Sequence, residues 1–381
     1  MNASGARTAR APGPATELTF PVLPLAVDTP RVILDLARLD ANIDRLQREM
    51  DRRGIALRPH AKTHKSVAVA RRQMAAGARG LTVGTLGEAE VFAAAGIPDL
   101  LLAYPLWAAG SKAARLRSLH ESDPELRVGV DSVAGARHLA AAVSGSSRPL
   151  RVLVEIDPGL HRTGVATPDD GVEVAHAAAV AGLVVEGVFS HGGHGYRPGA
   201  AGSAGADEIR ALSAAAEALR TAGYPIEVVS AGSTPTMLTA ATGPVTEIRA
   251  GTYVYGDRQQ WVLGAIAAEA CAVAVAATVV STFEDRIVID AGAKALTKDR
   301  ADWLTGYGAI VGYPELVIER VNDYHGVVSA PPGVDRPALG DVVAVIPNHI
   351  CPVIDLVDSV VAFAGDGSVA EWPVDARGRS G

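Results

Sequence analysis

Apolar positions between residues 31 and 257 fall into two alternating textures. Short apolar runs, each ended by Gly, Pro or a polar cluster, are separated by longer stretches whose apolar residues recur three and four positions apart. The first texture predicts buried strands and the second amphipathic helices. Their regular alternation predicts a parallel β/α architecture. Eight runs stand out, at residues 56–61, 80–85, 99–104, 126–130, 150–157, 183–191, 226–232 and 247–251. Eight parallel strands imply a closed (β/α)8 TIM barrel. Ahead of the first run, a strand-like segment at 31–36 leads into helical spacing over 38–53, and a further helix is expected over 206–222.

Beyond about residue 260 the texture changes to β-branched, alternating segments cut by Gly, Pro or Asp turns: VAVAATVVSTFEDRIVID, ELVIERVNDYHGVVSA, GDVVAVIP and SVVAFAGDGSVAEWPV. These predict a C-terminal antiparallel β domain. The expected organisation is a flexible N-terminal extension over 1–25, small, polar and proline-containing, then the barrel over 26–258 and the β domain over 259–381. No repeat of fixed period is present, which sets solenoids aside.

The chain has 381 residues, 48% apolar and 20% charged, enough to bury a large core. Charge interrupts the Ala-rich segments too often for a membrane span. The first residues lack the apolar core of a secretion signal, so a cytoplasmic location is expected. A formal net charge of −7 argues against nucleic acid, which needs clustered positive charge, and favours a small-molecule enzyme. The two cysteines, Cys271 and Cys351, are far apart, which argues against a disulfide framework and for a metal ligand or a buried thiol.

Reactive groups in a (β/α)8 barrel sit at the C-terminal ends of its strands. The first run ends in RPHAKTHK, the fifth in DPGLHR and the sixth in SHGGHGY; these segments and one C-terminal motif hold six of the ten histidines. Lys62 follows an apolar run, so its amine is expected at the barrel mouth, where desolvation lowers a lysine pKa and makes it a nucleophile. A surface lysine in a basic loop is the bland alternative for such a residue taken alone. The turns SAGSTPT at 230–236 and RAGTY at 249–253 present hydroxyls and backbone N–H groups after the seventh and eighth strands, a common place for phosphate. His349 and Cys351 lie two apart on an expected strand, which puts both on one face. Imidazole plus thiolate suits zinc or a similar divalent metal, and two protein ligands leave positions for water and substrate.

Taken in order, RPHAKTHK, EIDPGLHRTGV, SAGSTPT, EIRAGTYVYGD and PNHICP resemble the D-threonine aldolase and D-serine dehydratase family, over about residues 25 to 378. That family has the alanine racemase-like fold of type III pyridoxal-phosphate enzymes. The resemblance implies that Lys62, not Lys65, carries pyridoxal 5'-phosphate. Arg162 would bond the cofactor's 3'-oxygen, while Ser233 and Thr234, with backbone groups of Gly251, Thr252 and Tyr253, would hold its phosphate. His191, His194 and Tyr196 would line the ring and substrate side, with His191 and His194 as catalytic bases beside Lys62. Arg249 falls where the racemases place an arginine against the ring nitrogen. His349 and Cys351 occupy the metal-ligand positions, with zinc first and manganese or magnesium as alternatives; the dehydratases resemble this chain in having cysteine at the second position, where D-threonine aldolases can carry a carboxylate.

The implied activity is that of a lyase on β-hydroxy D-amino acids. It gives either glycine and an aldehyde by retro-aldol cleavage or a 2-oxo acid and ammonia by dehydration. A homodimer is implied as well. An alanine racemase-like isomerase is the nearest alternative, which the H-x-C pair speaks against, and a non-catalytic pyridoxal-phosphate-binding barrel is a second. Asp302, Tyr307 and Arg377 are candidates for substrate or interface contacts, with ordinary surface packing as the alternative.

Overall fold

The computed structural model describes residues 20, 27–123 and 125–381; apart from residue 20, the extension expected over 1–25 lies outside the described residues. Strand β1 (Arg31–Asp35) runs directly into helix α1 (Leu36–Arg53). The Asp35 carboxylate caps that helix, accepting from the N–H groups of Ala37 and Arg38 at 2.9 and 3.2 Å. Leu39, Ile43, Leu46 and Met50 recur at helical spacing and are buried in the main core. Gly54, at φ 67°, turns the chain left-handed so that the Ile55 N–H reaches the Met50 carbonyl at 3.0 Å.

The barrel strands are β2 (Ala56–Leu57), β3 (Leu81–Val83), β4 (Leu100–Leu102), β5 (Arg127–Val130), β6 (Arg151–Ile156), β7 (Val184–Ser190), β8 (Val228–Ala231) and β9 (Glu247–Ile248). They pair in parallel in the order β2-β9-β8-β7-β6-β5-β4-β3. The Arg79 N–H donates to Leu57 O at 2.9 Å and the Thr82 N–H to Pro59 O at 2.8 Å, which brings β3 back to β2 and closes the ring. Helices α2 (Val67–Ala75), α3 (Leu86–Ala94), α4 (Ser111–Ser122), α5 (Val133–Ala142), α6 (Pro168–Val180) and α7 (Ala201–Thr221) connect them. Each apolar run holds one strand shorter than itself, because residues at one or both of its ends lie outside the ladder.

Near the N-terminal ends of β4, β5 and β9 the barrel interior is ionic. Arg58, fully buried, donates to Glu247 at 2.9 Å and to Asp99 at 2.8 Å; Arg127 donates to Asp99 and, at 2.5 Å, to Glu186. Removing one member of a buried pair leaves an uncompensated charge, which costs about 3–5 kcal/mol. Glu247→Ala is therefore expected to lower stability by roughly that amount in equilibrium denaturant unfolding. An unchanged midpoint would show that Asp99 alone satisfies Arg58.

The second sheet contains β1 together with β10 (Val273–Thr282), β11 (Arg286–Ile289), β12 (Ala309–Ile310), β13 (Val317–Val321), β14 (Gly326–Ser329), β15 (Val342–Ile346), β16 (Ser359–Phe363) and β17 (Val369–Pro373). The expected hairpins are antiparallel, but the sheet is not wholly so: β1 pairs with β16 in parallel. A parallel pair needs a long crossover rather than a tight turn, and the barrel itself intervenes between these two strands. The tail after β17 returns to the barrel. There the Ala376 N–H donates to Lys65 O at 2.9 Å and the Asp375 carboxylate accepts the Val67 N–H at 2.7 Å, at the start of α2. Among the described residues no helix is long and apolar enough to cross a membrane.

Candidate active site

After β2 the chain turns through a short 3-10 helix, Ala61–Thr63, in which the Lys62 N–H donates to His60 Nδ1 at 3.4 Å. The Lys62 side chain is open to solvent, yet it stands in a recess walled by protein charge. Desolvation in that recess is the largest influence and lowers its pKa from the ordinary 10.5 against the pull of Cys351 and Glu88, with Arg162 and Arg249 adding to the lowering. Its amine makes no hydrogen bond or ion pair among the described residues. Lys65 differs: its amine is fixed by Asp355 at 2.6 Å and Glu88 at 3.4 Å, and although burial opposes it, these partners raise its pKa. Of the two lysines in the string, Lys62 is the one whose amine is not held by a carboxylate among the described residues.

Two imidazoles face Lys62. Burial, followed by the charge of Lys62, holds both His60 and His191 well below the usual histidine range, so each is neutral near pH 7. His194 is turned toward α7, where its Nε2 meets Asp207 at 3.1 Å, while Nδ1 is buried without a partner. The Tyr196 phenol is buried against Ser233, and burial raises its pKa. Arg162 makes no hydrogen bond or ion pair among the described residues, although it lies close enough to influence Lys62 and His191. Arg249 is buried inside the barrel, donating to the Ser230 hydroxyl at 2.7 Å and to the Ser190 carbonyl, with its guanidinium 5.3 Å from the Phe189 ring centre.

The turns after β8 and β9 are joined to each other and to the Lys62 turn. The Thr234 hydroxyl accepts the Tyr253 N–H at 3.1 Å, and the Ser233 N–H donates to the Thr236 hydroxyl at 2.9 Å. The Thr236 hydroxyl in turn donates to Glu208 at 2.8 Å. Gly251 permits the closest approach: a Cβ there would stand 2.9 Å from Thr63 Oγ1 and 3.0 Å from His60 O. The Lys62 amine and Arg162, neither paired among the described residues, and the hydroxyl-rich turns around Ser233, Thr234 and Thr252 form a donor set that fits an aldehyde bearing a phosphate.

His349 and Cys351 are not on a strand. His349 is the extended residue before helix α10 (Ile350–Ile354), and Cys351 lies in the first helical turn. Pro352 cannot donate to a strand ladder but is tolerated in a first turn, and the Asp257 carboxylate accepts the Ile350 N–H at 3.1 Å. The same carboxylate accepts the Gln260 N–H at 2.8 Å at the start of helix α8 (Arg258–Val262), and burial pushes its pKa up to about 6. The two predicted ligands still come near each other, close enough that each shifts the other's pKa. Burial acts to lower the His349 pKa, but the Cys351 thiolate and the Asp299 carboxylate push it up to about 11; burial acts to raise Cys351, and His349 brings it down. The His349 ring donates through Nδ1 to Asp299 at 2.6 Å.

Cys351 Sγ lies 3.4 Å from Thr63 Oγ1 and 3.9 Å from Thr252 Oγ1. The β region of a single chain therefore sets the imidazole–thiolate pair beside the Lys62 turn. No group of three or more His, Cys, Asp or Glu side chains arranged for a metal occurs among the described residues. The pair is a two-donor set whose His349 has its second nitrogen already satisfied, which fits a divalent cation completed by water and substrate. Asp302 pairs with Arg197 at 3.5 Å, Tyr307 lies under Arg300, and Arg377 pairs with Asp358 at 2.5 Å. Asp257 and Asp299 were missed in the sequence; YGD at the end of the barrel hinted at a cap, while nothing local marked Asp299.

Residues 34–259 match the family model described as "Alanine racemase, N-terminal domain", and residues 272–363 match the model described as "Putative serine dehydratase domain". The chain is 38% identical to D-threo-3-hydroxyaspartate dehydratase of Delftia sp. (strain HT23), covering 91% of this chain and 97% of that one. The solved structure of that enzyme superposes with a TM-score of 0.85 at 37% identity, over 92% of this chain and 98% of that one. Two solved variants of it replace a histidine and, two positions later, a cysteine by alanine; the cysteine variant is described as metal-free. A D-threonine aldolase of Arthrobacter sp. is 34% identical over 94% of this chain and 95% of its own length. The crystal structure of D-threonine aldolase from Filomicrobium marinum gives a TM-score of 0.83 at 32% identity, over 92% and 96% of the two chains. With this barrel, this lysine and these relatives, the chain belongs to the alanine racemase-like, fold type III pyridoxal-phosphate enzymes, in the family of D-threonine aldolases and D-serine dehydratases.

Proposed function

We propose that this protein is a pyridoxal-phosphate- and divalent-metal-dependent lyase of β-hydroxy D-amino acids, acting as a dehydratase. The observation that carries this reading is the placement of Cys351, with Sγ 3.4 Å from Thr63 Oγ1, beside the lysine that would hold the cofactor. Its relatives of high identity are a dehydratase and an aldolase, both lyases, which sets the isomerase alternative aside. Cysteine rather than a carboxylate at the second ligand position favours dehydration. Imidazole plus thiolate favours zinc over manganese or magnesium.

Lys62 would carry the cofactor, Arg162 would meet its 3'-oxygen, and Ser233, Thr234 and the turn Gly251-Thr252-Tyr253 would hold its phosphate. Arg249 would lie against the ring nitrogen, where a guanidinium cannot accept a hydrogen bond. When bound, the cofactor supplies an electron sink for charge developing at the substrate Cα, and the metal supplies a Lewis acid for its β-oxygen. Lys62 Nζ, whose pKa is lowered from the ordinary lysine value, would be the group that takes the Cα proton. The β-oxygen leaves as hydroxide with the electron pair of its bond to Cβ. His191, Tyr196 and His60 line the substrate side without adding positive charge. His194 is anchored at Nε2 by Asp207, so its Nδ1 is the nitrogen that would take a hydroxyl proton in a retro-aldol reaction. We assign a homodimer and a cytoplasmic location to this enzyme.

The test is product analysis. The protein loaded with pyridoxal phosphate and zinc, and given D-serine, D-threonine or D-threo-3-hydroxyaspartate, is expected to release ammonia and a 2-oxo acid. Glycine with an aldehyde would replace dehydration by aldol cleavage. Neither set of products from any of the three would end the reading.

A further inference from the structure

The metal pair is reached by a segment outside the sequence motifs, the loop between helix α9 (Ala293–Leu296) and β12. Its Asp299 carboxylate accepts the His349 Nδ1–H at 2.6 Å. Asp299 is about half exposed, yet its backbone is fixed at both sides. Before it, Thr297 holds φ 63°, a left-handed conformation costly for a β-branched residue, and the Thr297 hydroxyl accepts the Asp299 N–H at 3.2 Å. After it, the Trp303 indole donates to Tyr196 O at 3.2 Å, pinning the loop to the barrel turn that holds His194 and Tyr196. Asp302 pairs with Arg197 of that same barrel segment.

We propose that Asp299 is a positioning residue for the metal, orienting His349 so that Nε2 is presented beside the Cys351 thiolate. This rests on the reading that His349 and Cys351 hold a divalent cation. A carboxylate that accepts Nδ1–H selects the ring tautomer whose lone pair lies on Nε2, fixes the ring plane and strengthens that nitrogen as a donor. With only two protein donors in the set, the orientation of one ring carries a large share of the affinity. The same loop joins the metal pair to the barrel turn at Tyr196, so both halves of the site are set by one segment.

The experiment measures zinc affinity by competition with a chelating indicator on the full-length, cofactor-loaded protein, its Asp299→Ala variant and its Asp299→Asn variant. Asp299→Ala is expected to bind zinc about 10–100-fold more weakly. Asp299→Asn, whose amide oxygen still accepts Nδ1–H, is expected to lose less. Absorbance of the attached cofactor, which reports the Lys62 turn, is expected to be unchanged in both. A parent that binds zinc and an Asp299→Ala variant that binds it equally tightly would overturn this proposal alone. A parent that takes up no zinc would overturn the metal reading and this proposal with it.

Discussion

Lys62→Ala is expected to abolish the absorbance of covalently attached pyridoxal phosphate and to lower turnover by at least about 10²–10⁴-fold, the share of a positioned proton-transfer group. The loss should exceed that share, because the same amine forms the covalent attachment. The physical case is the contrast within one short string. Lys62 has no partner among the described residues, and burial with Arg162 and Arg249 nearby favours its neutral form. Lys65 is clamped by Asp355 and Glu88 in its charged form. Lys65→Ala is therefore expected to keep attachment while losing stability, since two carboxylates lose their cation. Borohydride reduction followed by peptide mapping checks both variants. Label retained by Lys62→Ala at another lysine would remove the assignment.

The strands were readable because burial on both faces demands continuous apolar runs, and every run from 56–61 to 247–251 holds one. Their exact ends were not, because the residues just past them, such as His60 and His191, are polar side chains of the mouth that lie close enough to influence each other. The segment Ile350-Cys351-Pro352-Val353-Ile354 reads as a strand by composition, and a distant carboxylate, Asp257, makes it a helix by capping Ile350. The pairing of β1 with β16 likewise joins opposite ends of the chain and leaves no local trace. The nearness of His349 and Cys351 was readable from their spacing, although a helix rather than a strand holds Cys351. What orients them was not: Asp299 stands fifty positions from His349, in a loop whose conformation depends on contacts with the barrel.

Cys351→Ala is the second large effect expected. The variant keeps Lys62 and loses only weak sulfur contacts, among them those to Thr63 and Thr252, so cofactor attachment is expected to persist. Zinc content is expected to fall to background, because one imidazole cannot hold a catalytic zinc that normally has three protein donors. Lewis-acid stabilisation is worth several kcal/mol and each 1.4 kcal/mol is tenfold in rate, so turnover should drop by about 10²–10³-fold. Cys351→Asp separates ligation from mere volume: a carboxylate restores a donor but a hard one, which favours manganese or magnesium over zinc. Partial activity in Cys351→Asp that depends on manganese, with none in Cys351→Ala, is the expected pattern by metal analysis and product assay. Undiminished turnover in Cys351→Ala would show that the sulfur lies beside the lysine for packing alone, and that the leaving hydroxide is assisted by a neighbouring imidazole instead.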